Sequence, residues 1–330
     1  MSKVVLHIGT HKTATTTIQD LFWTNAALLE QHGLIYPHLR DKQTGHHGLV
    51  LNWPHMPKIF QLPDGDEGTL TKLSETHGGK DATVFLSSEE FSRDRCLVDA
   101  TRLRDLLSGF DEIEVICVLR PQWEFVQSAY VEVSRGRCPP RPAQIVEQVI
   151  ETGMYEALWV DYIPLLDRLA EAFTPDQVTL MPFDDLRRHA GGIVGAFLDH
   201  LGIDLRADQL QVVNEGASNV SPPTLASYAA NIIAEPKHAP LWLLNKAAHA
   251  LRQEYGAGVK PCLFTRAEFL QLKTHFDARN EILADHPMAQ RSGFALKPFR
   301  PQGVTLFREE LSKSFWVRLA RMGFEQSLQG

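Results

Sequence analysis

A glycine, a lysine and a group of threonines follow the first apolar run of the chain. The run VVLHI ends at Gly9, Lys12 comes three residues later, and threonines stand on both sides of the lysine, among them Thr10, Thr13, Thr15 and Thr16. A helical pattern then begins, and a helix that starts directly after a strand presents unpaired N–H groups and the positive end of its dipole. This turn is therefore suited to binding phosphate. A capped turn without a ligand is the alternative, and a Walker P-loop is excluded because no glycine directly precedes Lys12.

A second candidate anion site lies in the stretch VICVLRPQWEFVQSAY, residues 115–130. A buried strand ends at Leu119, which places Arg120 at its carboxyl end, where open α/β sheets bind ligands. Pro121 suits the first position of a helix, and Ser128 lies on that helix, off its apolar stripe. Arginine offers a planar fork of donors and serine one hydroxyl, so this pair is suited to a second phosphate. A solvated or ion-paired Arg120 is the alternative.

Candidate proton acceptors follow another strand, residues 82–87, which runs into Ser87-Ser88-Glu89-Glu90. Glu89 is the first candidate for a general base and Glu90 the second, because neighbouring side chains diverge. The alternative is that Ser87 or Ser88 caps a helix whose first turn carries both acids for dipole reasons. His47, with its neighbour His46, is the rival base, since histidine titrates near neutral pH. The loop histidines have no recognisable ligand spacing, so no metal site is predicted.

Strands and helices alternate over the first two thirds of the chain. Short, nearly continuous apolar runs predict parallel strands buried on both faces, at residues 3–8, 34–36, 82–87, 113–119 and 178–182. Helical patterns lie between them, so we predict an α/β fold: a P-loop-like parallel sheet flanked by helices on both faces, with a mainly helical C-terminal region. We assign a single domain over residues 1–330, with a nucleotide-binding core at 1–205 and a helical extension at 206–330.

Composition narrows the classes of function. The net charge of -7 and the pI near 6.1 argue against a nucleic-acid partner. No apolar run approaches the roughly 20 residues that span a bilayer, and the first run is too short for a signal peptide. The four cysteines are widely spaced, which is typical of reduced thiols. We therefore expect a cytoplasmic protein without a transmembrane segment.

Together, the two anion motifs resemble those of sulfotransferases that use 3′-phosphoadenosine 5′-phosphosulfate (PAPS), especially bacterial members acting on saccharides or other small acceptors. In that family a strand-loop-helix grips the 5′-phosphosulfate, and the matching segment here is Gly9-Thr10-His11-Lys12-Thr13-Ala14-Thr15-Thr16. A later strand that ends in arginine, with serine eight residues on, grips the 3′-phosphate, and the matching pair is Arg120 and Ser128. The stretch VTLMPFDDLRRHAGGIVGAFLDHLGID is similar to the family's later strand and helix. The resemblance covers residues 3–205.

The resemblance implies transfer of a sulfuryl group from PAPS to a hydroxyl or amine acceptor by in-line displacement, without a metal. The acceptor would be a small molecule or glycan, such as a carbohydrate or glycolipid. Lys12 would neutralise charge on the leaving nucleotide, and a base at the carboxyl end of strand 82–87 would take the acceptor's proton. Two alternatives remain open: a small-molecule kinase that uses ATP and Mg²⁺, and a nucleotide-binding module without activity.

One position departs from the family pattern. Alanine stands at residue 14, where the family usually has glycine. Alanine is strained at positive φ. We therefore expect a negative φ at Ala14 and a slightly shifted loop.

Overall fold

A computed structural model describes residues 1–96, 99–213, 221–296 and 303–327. The chain forms two compact units. The first comprises Met1–Arg120, Glu156–Ser218 and Arg279–Leu296, and the second comprises Pro121–Tyr155, Asn219–Ala278 and Lys297–Gly330. These units do not follow the division predicted at residue 205, because residues 121–155 belong to the second unit. The single-domain assignment stays a prediction.

The first unit contains a five-stranded parallel sheet. Its strands are β1 (Lys3–His7), β2 (Leu34–Ile35), β3 (Thr83–Ser87), β4 (Glu112–Leu119) and β7 (Val178–Pro182). The spatial order is β2-β3-β1-β4-β7, and every neighbouring pair is parallel. The predicted α/β class and all five strand positions are confirmed. The connection after β1 leads to β2 at one edge of the sheet, and the connection after β4 leads to β7 at the other edge. A ligand crevice is therefore expected at the carboxyl ends of β1 and β4, where the connections diverge.

Both faces of the sheet are covered, because the side chains that point to one face of a strand and those that point to the other are all buried. Val4 and Leu6 point to one face, Val5 and His7 point to the other, and all four are buried. On the Val5 face, α1 (Thr15–Thr24) packs Ile18 and Phe22 against the sheet. The helical spacing i, i+4 of these two residues explains why this helix forms where the sequence predicts it.

The remaining elements of the described chain are mostly helices. Those that begin before residue 206 are α2 (Ala26–Gln31), α3 (Gly65–His77), α4 (Ala100–Leu106), α5 (Gln122–Val133), α6 (Pro142–Thr152), β5 (Met154–Tyr155), β6 (Leu158–Trp159), α7 (Ile163–Ala170), α8 (Phe183–Arg188) and α9 (Gly192–His200). Those beyond it are α10 (Thr224–Ala234), α11 (Leu241–Tyr255), β8 (Pro261–Cys262), α12 (Arg266–Ala284), α13 (Pro287–Ser292), β9 (Leu306–Phe307) and α14 (Lys313–Ser327). The C-terminal part is therefore mainly helical, as predicted.

Within the ranges that the structure describes, no helix is both long and apolar enough to cross a membrane.

Candidate functional site

The loop that follows β1 alternates the sign of its backbone φ. Lys12 has φ +61° and Ala14 has φ +62°, whereas Thr13 between them is not in the positive region. Left-handed residues other than glycine are uncommon, and such strain concentrates at functional sites. Alternation of this kind brings successive backbone N–H groups into a concavity that binds anions. The loop backbone therefore has the geometry of a phosphate or sulfate site.

Hydrogen bonds to β4 hold this loop in place. The N–H and the hydroxyl of Thr10 both donate to the Val118 carbonyl, at 2.8 and 3.1 Å, and the Val118 N–H donates to the Gly9 carbonyl. The Thr13 hydroxyl donates to the Thr10 carbonyl at 2.5 Å. The side chains of Thr10 and Thr13 therefore stabilise the loop itself.

Helix α1 directs its N-terminus at the same loop. Its own hydrogen bonding begins with the Thr17 N–H, which donates to the Ala14 carbonyl at 3.0 Å, so the N–H groups of Thr15 and Thr16 precede the first bond. No side chain caps this helix, and its first turn carries no acidic residue. The positive end of the helix dipole thus adds to the loop's affinity for an anion.

The expectation of a negative φ at Ala14 is wrong. Ala14 is the N-cap of α1 in the left-handed conformation, with φ 62° and ψ 30°. The loop therefore keeps the backbone shape that glycine would favour, and the alanine bears the steric cost, about 1–2 kcal/mol for an L-residue in this region. Tertiary contacts of Gly9 and Thr10 with β4 over-determine the loop and hold the strained residue there.

Replacing Ala14 by glycine should stabilise the protein by about 1 kcal/mol, because glycine has no Cβ to strain at positive φ. Urea denaturation measures the change. The matched control is Ala278→Gly, an exposed alanine inside α12, where the same substitution should destabilise by about 1 kcal/mol. Equal destabilisation by both substitutions would contradict a strained Ala14.

Arg120 connects the second motif to the first. Its guanidinium donates to the carbonyl of Lys12 at 3.1 Å and lies over the ring of Phe183, with Cζ 5.2 Å from the ring centroid. The Arg120 carbonyl accepts a hydrogen bond from the Tyr162 hydroxyl at 2.7 Å. We call residues 9–14, which follow β1, the anion loop. The guanidinium of the half-buried Arg120 is thus fixed at the anion loop and its carbonyl at Tyr162, at the end of β4 where the sequence predicts this arginine.

Ser128 is half-buried on α5, in the second unit. The apolar stripe predicted for this helix is confirmed in that Phe125 and Ala129 are buried. The part assigned to Ser128 in nucleotide binding stays a prediction.

Glu89 lies directly against the anion loop. A Cβ on Gly9, which has φ +78°, would stand 3.0 Å from the Glu89 Cβ. Glu89 begins a short 3-10 helix, Glu89–Ser92, whose N-cap Ser88 accepts from the Glu90 N–H at 3.3 Å. The predicted serine cap is therefore present, and Glu89, the first residue of the capped helix, also lies against the loop. Only glycine at position 9 allows the loop and Glu89 to approach this closely.

Gly9→Ala should destabilise the protein by more than the ~1–2 kcal/mol that left-handed alanine costs, because a clash with Glu89 adds to the backbone strain. Gly33→Ala is the matched control: Gly33 also has positive φ, +84°, but a Cβ there would meet no atom within 4 Å. Urea denaturation of both variants separates the clash from the strain. Equal losses would show that Glu89 does not press on the loop.

The carboxylate of Glu89 is ionised by its surroundings. Burial alone would raise its pKa, but His47, His11 and a hydrogen bond from the Gln19 amide at 2.9 Å together lower the pKa below its ordinary value. Glu89 therefore carries no proton at neutral pH, which is the state that a general base requires.

Glu90 is already engaged with two neighbours. His11 Nε2 lies 3.1 Å from one of its carboxylate oxygens and Arg93 Nε lies 2.6 Å from the other. Burial would raise the pKa of Glu90, but His11 and Arg93 outweigh burial and lower it. These ion pairs hold the short helix and His11 together, which favours Glu89 over Glu90 as the proton acceptor.

The two neighbouring histidines differ in their hydrogen bonds. His46 is buried, accepts from the Ser87 N–H at Nδ1 (2.9 Å), and therefore carries its proton on Nε2, which donates to the Pro37 carbonyl (2.8 Å). His47 is half-buried and contacts the Ser88 hydroxyl through Nδ1 at 2.8 Å. Among the described residues, none forms a hydrogen bond with the Nε2 of His47.

Stability should fall as the pH drops from 6.5 toward 4, because burial lowers the pKa of His7 and of His46 to about 4. Both pKa values lie below the unfolded value of about 6.5, so protons favour the unfolded chain; the loss is roughly 2 kcal/mol per histidine between pH 7 and pH 5. Urea denaturation at the two pH values measures it. His7→Asn should remove about half of this dependence, and an equal stability at pH 7 and pH 5 would contradict the prediction.

Gln19 is a site residue that the sequence analysis missed. It lies on α1, is 2% exposed, and its amide reaches the Glu89 carboxylate and the Ser87 hydroxyl, at 2.9 and 3.3 Å. A Cβ on Gly45 would lie 2.9 Å from the Gln19 side chain and 2.7 Å from His47 Nε2, so Gln19 and His47 converge over this glycine. The available signal was a polar residue beside Ile18 on the buried side of an amphipathic helix.

Among the described residues, no group of three or more histidine, cysteine or acidic side chains is arranged to hold a metal ion. The candidate site consists of residues at the carboxyl ends of β1, β3 and β4: Gly9, His11, Lys12, Ala14, Glu89, Glu90 and Arg120. The fold and the site define a parallel α/β protein with an anion loop and an ionised acid beside it.

No protein-family model and no curated protein matches this sequence. Among solved structures, the fold is similar to the crystal structure of a sulfotransferase from Alicyclobacillus acidocaldarius. The TM-score is 0.43 and the identity 17%, over 70% of this chain and 91% of that chain. Overlap at this level does not bear on function, so a function has to be inferred from the residues of the site.

Proposed function

We propose that this protein is an enzyme that transfers a sulfuryl group from PAPS to a hydroxyl or amine acceptor. The contact of Arg120 with the Lys12 carbonyl carries the proposal, because it joins the two anion motifs into one site. A nucleotide with phosphate groups at both its 3′ and 5′ positions needs two such groups of donors. ATP has no 3′-phosphate for the second group to bind.

The residues of the loop fit the 5′ end of this nucleotide. The left-handed Lys12 and Ala14 shape a backbone concavity, and the first N–H groups of α1 point at it. The Lys12 ammonium would neutralise charge that develops on the leaving nucleotide, and the Thr15 and Thr16 hydroxyls add donors. We assign the 3′-phosphate to Arg120, and the part of Ser128 stays a prediction from the sequence. Bound PAPS would supply an activated sulfuryl group, and no metal is required.

Glu89 is the proposed general base. It carries no proton at neutral pH, it lies against Gly9 of the loop, and Gln19 donates to its carboxylate, whereas Glu90 is held by Arg93 and His11. Glu89 would take the proton of the acceptor hydroxyl or amine as the acceptor oxygen or nitrogen bonds to sulfur. The bond between sulfur and the 5′-phosphate oxygen would break at the same time, and adenosine 3′,5′-bisphosphate would leave. His47 is the second candidate for this role.

Thermal stability with two nucleotides tests the proposal. Adenosine 3′,5′-bisphosphate at 100 times its Kd, in EDTA, should stabilise the protein by about 2.7 kcal/mol. A response to ATP with Mg²⁺ alone would overturn the proposal in favour of a kinase. Release of the bisphosphate from PAPS with a panel of acceptors distinguishes the enzyme from an inactive binding module.

A further inference from the structure

A cavity of about 620 Å³ begins next to the candidate base His47. Gly48, the following residue, lines it, together with the apolar Trp53 and Met56 and the polar Asn52, Gln61 and Asp66. A volume of this size is typical of sites for small ligands. All of these residues lie between positions 48 and 66 of the first unit, in the segment that leads into α3 and in the first turn of that helix.

Stacked rings connect His47 with the wall of this cavity. The ring of His47 meets Phe60 edge-on with centroids 4.8 Å apart, and Phe60 stacks on Trp53 with centroids 5.7 Å apart and an interplanar angle of 24°. Such contacts fix the orientation of each ring. Trp53 is thus an aromatic platform that one intervening ring, Phe60, connects with His47, the second candidate for the base.

The backbone beside Trp53 is strained. Asn52 has φ 53° and His55 has φ 57°. This left-handed region costs a residue other than glycine of order 1–3 kcal/mol, and strain of this kind clusters at ligand sites. The loop that carries Trp53 is therefore shaped against its local preference.

We infer that this cavity binds the acceptor, and that the acceptor is a neutral saccharide. That the saccharide is the acceptor of the sulfuryl group rests on the proposed function. The apolar C–H face of a sugar ring packs on a rigid aromatic surface, here Trp53, and sugar hydroxyls pair with amide and carboxylate groups, here Asn52, Gln61 and Asp66. Asp66 is the one charged residue of the cavity's described lining. A sulfated or uronic saccharide would meet a carboxylate and no cation there.

Saturation-transfer NMR without nucleotide tests the inference. The panel contains glucose, galactose, mannose, N-acetylglucosamine, cellobiose and lactose, with a heparin disaccharide as the charged comparison. At least one neutral sugar should bind. Trp53→Ala should weaken that binding at least tenfold, and the milder Gln61→Ala should weaken it severalfold. Trp242→Ala is the control, since Trp242 is 43% exposed and belongs to the second unit.

The inference would be overturned if no neutral sugar binds, or if binding is the same in Trp53→Ala and Gln61→Ala as in the unaltered protein. Preference for the heparin disaccharide would also overturn it. A parallel titration with adenosine 3′,5′-bisphosphate keeps the two proposals apart. Nucleotide binding without sugar binding would contradict this inference alone, and sugar binding without nucleotide binding would contradict the proposed function alone.

Discussion

Replacing Glu89 by glutamine should slow the release of adenosine 3′,5′-bisphosphate from PAPS by a factor of about 10²–10⁴, the usual contribution of a general base. Glutamine has nearly the same shape and keeps the contact with Gln19, but it cannot accept the proton. The affinity for the bisphosphate should change little, since the carboxylate is assigned to the acceptor side. Initial rates with the saccharide panel and calorimetric titration measure the two quantities.

Glu90→Gln is the matched control for this prediction. Because the Glu90 carboxylate pairs with His11 and Arg93, its loss should lower stability and change the rate much less than Glu89→Gln does. A third variant, His47→Gln, identifies the base. If His47→Gln loses the larger factor and Glu89→Gln keeps most of its activity, the base is His47 and our assignment of Glu89 is wrong.

Arg120→Ala should weaken binding of adenosine 3′,5′-bisphosphate by about 10²-fold, because charge-assisted bonds to a phosphate are lost. Binding of adenosine 5′-phosphate, which has no 3′-phosphate, should stay nearly the same. Calorimetric titration of both ligands measures the difference. Arg120→Lys keeps the charge but loses the planar fork of donors. Its affinity for adenosine 3′,5′-bisphosphate should therefore lie between that of the unaltered protein and that of Arg120→Ala.

The comparison of two nucleotides is necessary because Arg120 also donates to the Lys12 carbonyl. If this contact merely supports the loop, Arg120→Ala should weaken the binding of adenosine 3′,5′-bisphosphate and of adenosine 5′-phosphate by the same factor. That result, or an unchanged affinity for the bisphosphate, would contradict the assignment of Arg120 to the 3′-phosphate.

Much of the fold could be predicted because it depends on local patterns. Apolar runs such as those of β1 and β4 mark strands buried on both faces, and their order with the helices implies parallel pairing. The positions of Gly9 and Arg120 at strand ends then place both at one edge of the sheet. The local pattern after β1 did not show that the chain divides there into two helices, α1 and α2, which are joined at Asn25.

The details of the site could not be predicted in the same way. The sign of φ at Ala14 depends on how β4 holds the loop, and intrinsic preference predicted the opposite sign. Glu89 and Glu90 are adjacent acids in sequence, and only their partners, Gln19 for one and Arg93 for the other, distinguish them.

The sequence by itself determined the parallel sheet, the helix that follows the first strand, and the set of residues at the strand ends, because periodicity and residue type act over a few neighbours. The tertiary structure alone decided which of those residues meet. The contact between Arg120 and Lys12 spans 108 positions, and the approach of Glu89 to Gly9 spans 80. Such contacts arise from strand order and close packing, which no short stretch of sequence encodes.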